Sequence, residues 1–220
     1  MKEMNPTMQV EAICPHCNKE NKTTINTVIS NTENPRLSKR LIDDTLFLRK
    51  CKHCGEEYFV NHTVAYKDDR VEKVVCYAAD NEGEAAFVDT MFENMKLVEQ
   101  GFELCPVRIV KGVNELREKA RIFEMGLDDK VIEVIKIWGL EYLRENNVED
   151  KVNTVLCWVL DDLSLELCFF TEDESYMLML PYEHYEETED SLLELFEDEE
   201  HELYYVDLDW AMDFVIKNGL

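Results

Sequence analysis

Four of the eight cysteines in this 220-residue chain stand in two C-x-x-C pairs, Cys14-Pro15-His16-Cys17 and Cys51-Lys52-His53-Cys54. Such a turn brings two sulfurs to one point from a single tight loop. Two of them supply the four thiolates that a tetrahedral zinc ion takes at about 2.3 Å. Gly55 follows the second pair, which suits a chain that must curl with positive φ. Cys14, Cys17, Cys51 and Cys54 are therefore the predicted metal ligands, and structural zinc is the predicted cofactor. The 33 residues between Cys17 and Cys51 require an inserted element that leaves and returns between the pairs.

Other chemistries compete for the same residues. Cys14-Pro15-His16-Cys17 also matches the redox pair of thiol oxidants, in which a helix N-terminus stabilises the thiolate. Residues 22–29, however, read as a strand and not as a helix. Thiol sensing or exchange through Cys14 and Cys17 stays as an alternative. His16 or His53 could replace a cysteine, but four thiolates already fill the shell, which leaves the histidines at the surface. An open catalytic zinc would need a missing ligand and a nearby carboxylate base, and no H-E-x-x-H pattern occurs. Cys76, Cys157 and Cys168 lie in apolar runs and read as small buried hydrophobes. The pattern leaves the burial of Cys105, before Pro106, open.

The elements that must position the pairs are β-rich. Residues 8–13 lead into the first pair and 22–29 leave it. Asn34 and Pro35 open a short helix as N-cap and first position, with Leu37 and Leu41 on one face. Residues 46–49 enter the second pair, 58–63 leave it, and 72–78 form a further strand. The insertion thus reads as mostly helix and turn. A helix over 82–98, with Val88, Met91, Met95 and Val98 on one face, ends at Gly101. After a strand at 107–110, Asn114 caps a helix bearing Leu116, Ala120 and Phe123, which Gly126 ends. Asp128 begins another, with Val131, Ile135, Trp138 and Tyr142 on one stripe widened by Ile132, Val134 and Ile137. That breadth predicts a helix central to the core, with half of a dimer contact as the rival. Strands at 153–160, 163–171 and 176–180 form a meander. An acidic helix at 189–196, a strand at 202–206 and a helix capped by Asp209 complete the chain. No internal repeat stands out.

The C-P-x-C pair, Asn31-Thr32-Glu33-Asn34-Pro35, Leu46-Phe47, the second C-x-x-C-G and Tyr66-Lys67-Asp68 resemble the CpXC domain family. So do Arg108-Ile109-Val110, Asn114 through Lys119, Ile122 through Asp129, and Val131-Ile132-Glu133. The likeness covers about residues 8–140. Lys52 departs from it, standing where the pattern has proline. The resemblance implies a prokaryotic protein with a four-cysteine metal site, and it lends no activity.

The expected fold class is α+β. A zinc-ribbon-like β module with a helical insertion (1–79) precedes a helical region (80–150) and an acidic α+β region with the meander (151–220). The net charge of -25 follows this division. Residues 1–73 hold 12 basic and 11 acidic side chains, 74–150 hold 9 and 17, and 151–220 hold 2 and 20. So strong an acidity disfavours nucleic acid and anionic lipid everywhere but in the N-terminal third. Arg49, Lys50 and Lys52 cluster there and motivate a nucleic-acid-associated module as a further alternative. The acidic run 197–200 reads as a solvated loop, with docking of a basic partner as the rival. The longest apolar run, Val155 through Leu160, is too short to span a bilayer, and no secretion signal is recognisable. With no P-loop, dinucleotide or G-x-S-x-G motif and only seven glycines, no nucleotide cradle or hydrolase elbow is expected. Asp128-Asp129 and Asp161-Asp162 read as caps and turns, and His184 as a surface histidine. The expected protein is cytoplasmic, non-enzymatic and zinc-binding, with a protein partner.

Overall fold

The computed structural model describes residues 7–79, 106–148, 151–196 and 205–220. The helix expected over 82–98, Cys105, the acidic run 197–200 and most of the strand expected at 202–206 lie outside the described residues. The chain is α+β and forms two compact units, Met1–Ala120 and Arg121–Leu220.

In the first unit two short hairpins carry the cysteine pairs. Strands β1 (Thr7–Ile13) and β2 (Glu20–Asn26) pair antiparallel, with Ile13 opposite Glu20 at the turn. Strands β4 (Leu48–Lys50) and β5 (Glu57–Phe59) do the same, with Lys50 opposite Glu57. The hairpins belong to separate two-stranded sheets.

Between them the chain does more than the expected helix and turn. The strand expected over 22–29 breaks at Thr27, and β3 (Val28–Ser30) joins a different sheet, of order β3-β6-β7-β8. The burial pattern explains the break. Exposed and buried positions alternate along much of β2, whereas all three residues of β3 are buried, which requires cover on both faces. Strand β3 runs parallel to β6 (Val64–Asp68), and Ala65 N–H donates to Thr27 O at 2.8 Å. Strands β6 and β7 (Lys73–Tyr77) are antiparallel, and β7 and β8 (Val107–Val110) parallel. The strand expected over 58–63 also divides: β5 stops at Phe59, Val60 N–H donates to Phe47 O, and β6 begins at Val64.

Helix α1 (Pro35–Ile42) starts on the expected proline and buries Leu41. The Asn34 side chain does not cap it; its Oδ1 instead accepts from Ser30 N–H at 3.4 Å. Helix α2 (Val113–Glu124) begins slightly before Asn114, with Glu115 Oε2 accepting from the backbone N–H of Lys111 and Gly112. Leu116, Ala120 and Phe123, its expected apolar face, are fully buried.

The second unit is organised by α3 (Asp129–Glu145), capped by Asp128 as expected. Val131, Ile132, Val134, Ile135 and Ile137 are at most 2% exposed, so this helix is central to a core. Val134 and Ile137 pack with Leu192, Ala211 and Phe214. Glu133 and Lys136, one turn apart on α3, pair at 3.0 Å while buried. Strands β9 (Thr154–Val159), β10 (Leu165–Phe170) and β11 (Ser175–Leu180) form the expected meander. Helix α4 (Tyr182–Phe196) starts seven residues before the expected 189, directly after Pro181. Helix α5 (Leu208–Asn218) is capped by Asp207 rather than Asp209, with Asp207 Oδ1 accepting from Trp210 N–H at 3.0 Å.

One glycine sets how closely α3 approaches the meander. A Cβ on Gly139 would lie 2.7 Å from Phe169 Cζ and 2.9 Å from Leu167 Cδ1. Both neighbours are fully buried and cannot swing away. Gly139→Ala should therefore destabilise the second unit by about 1–3 kcal/mol despite alanine's better helix propensity. Urea unfolding checks this, and the added Phe169→Leu change should recover part of the loss.

Candidate metal centre

Each cysteine pair sits in the turn of one hairpin, and the two turns are built alike. In the first, Cys14 N–H donates to Lys19 O and Asn18 N–H to Cys14 O. In the second, Cys51 N–H donates to Glu56 O and Gly55 N–H to Cys51 O. Asn18 and Gly55 hold the equivalent left-handed position, with φ of 55° and 82°. Glycine adopts that conformation freely and asparagine tolerates it best among the others.

These turns bring all four predicted ligands together. The four Sγ atoms lie within 4.8 Å of one another. Cys14 and Cys54 are 3.7 Å apart across the hairpins, as are Cys17 and Cys51. A tetrahedron with about 2.3 Å from centre to corner has edges of about 3.8 Å. The sulfur spacing therefore fits a tetrahedral thiolate-bound ion, and the cluster could hold a metal. Cys14 and Cys51 are buried, Cys17 is half-buried and Cys54 exposed, so the site has a closed inner side and an outer one.

Electrostatics at the cluster favour a cation. Burial pushes the Cys51 thiol up, but the backbone N–H groups of Cys54 and His53 and the Asn21 side chain donate toward the sulfur. Together they outweigh burial and hold Cys51 down at about 5. At Cys54 a backbone hydrogen bond in the Glu56 turn favours the thiolate, but, although the residue is exposed, partial desolvation of its sulfur and the three neighbouring sulfurs prevail and raise it to about 12. Once one sulfur ionises, the rest resist. A divalent cation removes that conflict by neutralising the charge that the thiolates accumulate.

Three side chains that sequence reasoning did not assign hold the turns in register. His16 Nε2 lies 3.1 Å from Glu57 O, and His53 Nε2 lies 3.2 Å from Glu20 O. A carbonyl only accepts, so each Nε2 carries its proton and ties its turn to the opposite hairpin. The histidines thus support the cluster and do not replace a ligand. Asn21, buried, donates to Lys19 O at 3.0 Å and toward Cys51 Sγ at 3.4 Å, and accepts from Lys52 N–H at 2.9 Å. The available signal was a repeat: Cys14-Pro15-His16-Cys17-Asn18-Lys19-Glu20 recurs as Cys51-Lys52-His53-Cys54-Gly55-Glu56-Glu57. Behind the turns lies a small apolar cluster of Ile25, Tyr58 and Val60 with Cys14 and Cys51 themselves.

The basic residues near the second pair are largely committed to structure. The Arg49 guanidinium donates to the carbonyls of Leu46, Leu48 and Thr24, and Lys52 Nζ donates to Lys22 O. Cys76 and Cys157 are buried as expected, and Cys168 is half-buried with its thiol 3.5 Å from Glu166 Oε1.

The model of the CpXC protein family matches residues 13–136, more than half of the chain, and includes all four clustered cysteines. The chain belongs to that family. No curated protein and no solved structure matches it.

Removing the support of Asn21 tests this architecture. Asn21→Leu takes away three hydrogen bonds around Cys51 while keeping the buried volume. Loss of such supporting contacts typically weakens metal affinity by about 10–100-fold. Competition with a chromophoric chelator should show a drop in that range, with the number of bound ions unchanged.

Proposed function

We propose that this member of the CpXC family is a non-enzymatic cytoplasmic protein whose four-cysteine centre holds a structural zinc ion, and that it acts by binding other proteins. The observation that carries the zinc reading is the all-sulfur cluster at tetrahedral spacing. Four thiolates satisfy the preferred coordination of zinc and leave no position for water or substrate, the hallmark of structural rather than catalytic sites. Cys14, Cys17, Cys51 and Cys54 would bind as thiolates, and the ion would supply a cross-link between two hairpins that each have only two strands. Isolated hairpins of that size are marginal in water.

One feature supports a protein partner. Met8, Ile13 and Phe59, on or beside the cysteine-bearing hairpins, are 55%, 69% and 49% exposed. Large apolar side chains exposed on a small module favour protein contact. The nucleic-acid alternative loses ground because Arg49 and Lys52 donate to backbone carbonyls. The redox alternative is disfavoured because Cys17 leads into β2 and not into a helix, so no helix dipole stabilises a thiolate there.

Elemental analysis of the purified full chain should find one zinc per molecule, and a content near zero would contradict the proposal. Cys17→Ser should lose the metal and unfold the first unit while the second keeps its own cooperative transition. Because protons compete for thiolates, zinc should be retained at neutral pH and released progressively on acidification. Thiol titration discriminates the redox reading: zinc predicts that Cys14, Cys17, Cys51 and Cys54 are protected and become reactive only with chelator.

A further inference from the structure

The second unit carries a cavity that the cysteine chemistry does not use. It has a volume of about 490 Å3 and lies between α3, β11 and α4. That size falls within the usual range of small-molecule sites, about 300–1,000 Å3. While Val134 and Ile137 pack into the core, Ile135, Trp138 and Tyr142 line the cavity from α3. Leu178 and Leu180 line it from β11.

The α4 wall contributes little hydrogen bonding. The Thr188 hydroxyl donates to His184 O at 2.6 Å and the Ser191 hydroxyl to Thr188 O at 2.8 Å, so both are satisfied within their own helix. The body of a ligand here must be apolar. The charged member of the lining is Glu187, whose side chain is 79% exposed and lies 3.9 Å from His184 Nδ1.

Trp138 and Tyr142 are the two aromatic linings, and an aromatic ring attracts a cation that reaches its face. Glu187 attracts it directly. Helix α4 adds a field of the same sign, since it carries six acidic residues and no lysine or arginine. The rings and the acidic helix, Glu187 included, select the same ligand charge, and the basic lining group, His184, stands 3.9 Å from Glu187.

We propose that this cavity binds a small organic cation. An alkyl or aromatic body would lie against Ile135, Leu178 and Leu180, and an ammonium group would sit by Glu187 and the rings of Trp138 and Tyr142. The site uses none of the four clustered cysteines.

A matched series tests it. The full chain is titrated with hexyltrimethylammonium, hexanol and hexanoate, followed by calorimetry and tryptophan fluorescence. The cation should bind at least about tenfold more tightly than hexanoate, in line with cation–π and ion-pair contributions. Glu187→Gln and Tyr142→Leu change side chains that are half or more exposed, so the fold should survive, as unfolding curves would verify. Each should weaken the cation about 3–10-fold. Glu187→Gln should leave hexanol unaffected. Hexanoate binding as tightly as the cation, no binding of any probe at millimolar concentration, or cation binding indifferent to both variants would overturn the proposal.

Discussion

The spacing of four sulfur atoms is the constraint around which the N-terminal unit is arranged. Two hairpins that share no strand meet through Cys14 with Cys54 and Cys17 with Cys51, each pair 3.7 Å apart. Sulfurs this close cannot all carry charge unless a cation sits among them, as the opposite displacement of Cys51 and Cys54 makes visible. Nor can the apolar cluster behind them hold the hairpins alone, since two of its five buried members are the inner cysteines. The proposed zinc would therefore do the work that a core does in a larger domain.

The surrounding polar groups make sense as supports for that cluster. The reciprocal reach of His16 to Glu57 O and of His53 to Glu20 O fixes each turn against the other hairpin before any ion is considered. Asn21 does the same for Cys51 from the buried side. Elsewhere the chain also buries charge in paired form. Asp68, fully buried, meets the half-exposed Arg70 at 2.7 Å, and Glu133 pairs with Lys136 with both side chains buried. Ion pairs of this kind add little net stability over an apolar core, yet breaking one is costly. Both lie within the span that matches the CpXC family.

The ligands and most of the elements were legible because their signals are local. A C-x-x-C turn, a proline opening α1, an aspartate before α3 and the Asp161-Asp162 turn between β9 and β10 each act within a few positions. The breaks at Thr27 and after Phe59 were not legible, because what ends those strands is a change of sheet, decided by partners distant in sequence. The early start of α4 was missed because Tyr182, His184 and Tyr185 carry no strong helix signal apart from Pro181 ahead of them. The roles of His16, His53 and Asn21 needed the two turns seen together, although the recurring C-x-H-C-x-x-E pattern pointed to a shared construction.

What the four sulfurs hold is read most directly by zinc K-edge X-ray absorption on the purified full chain, which reports the metal and its shell together. A zinc edge whose first shell fits four sulfurs at about 2.3 Å is the expected result. A first shell containing nitrogen or oxygen in place of one sulfur, or no zinc edge at all, would contradict it.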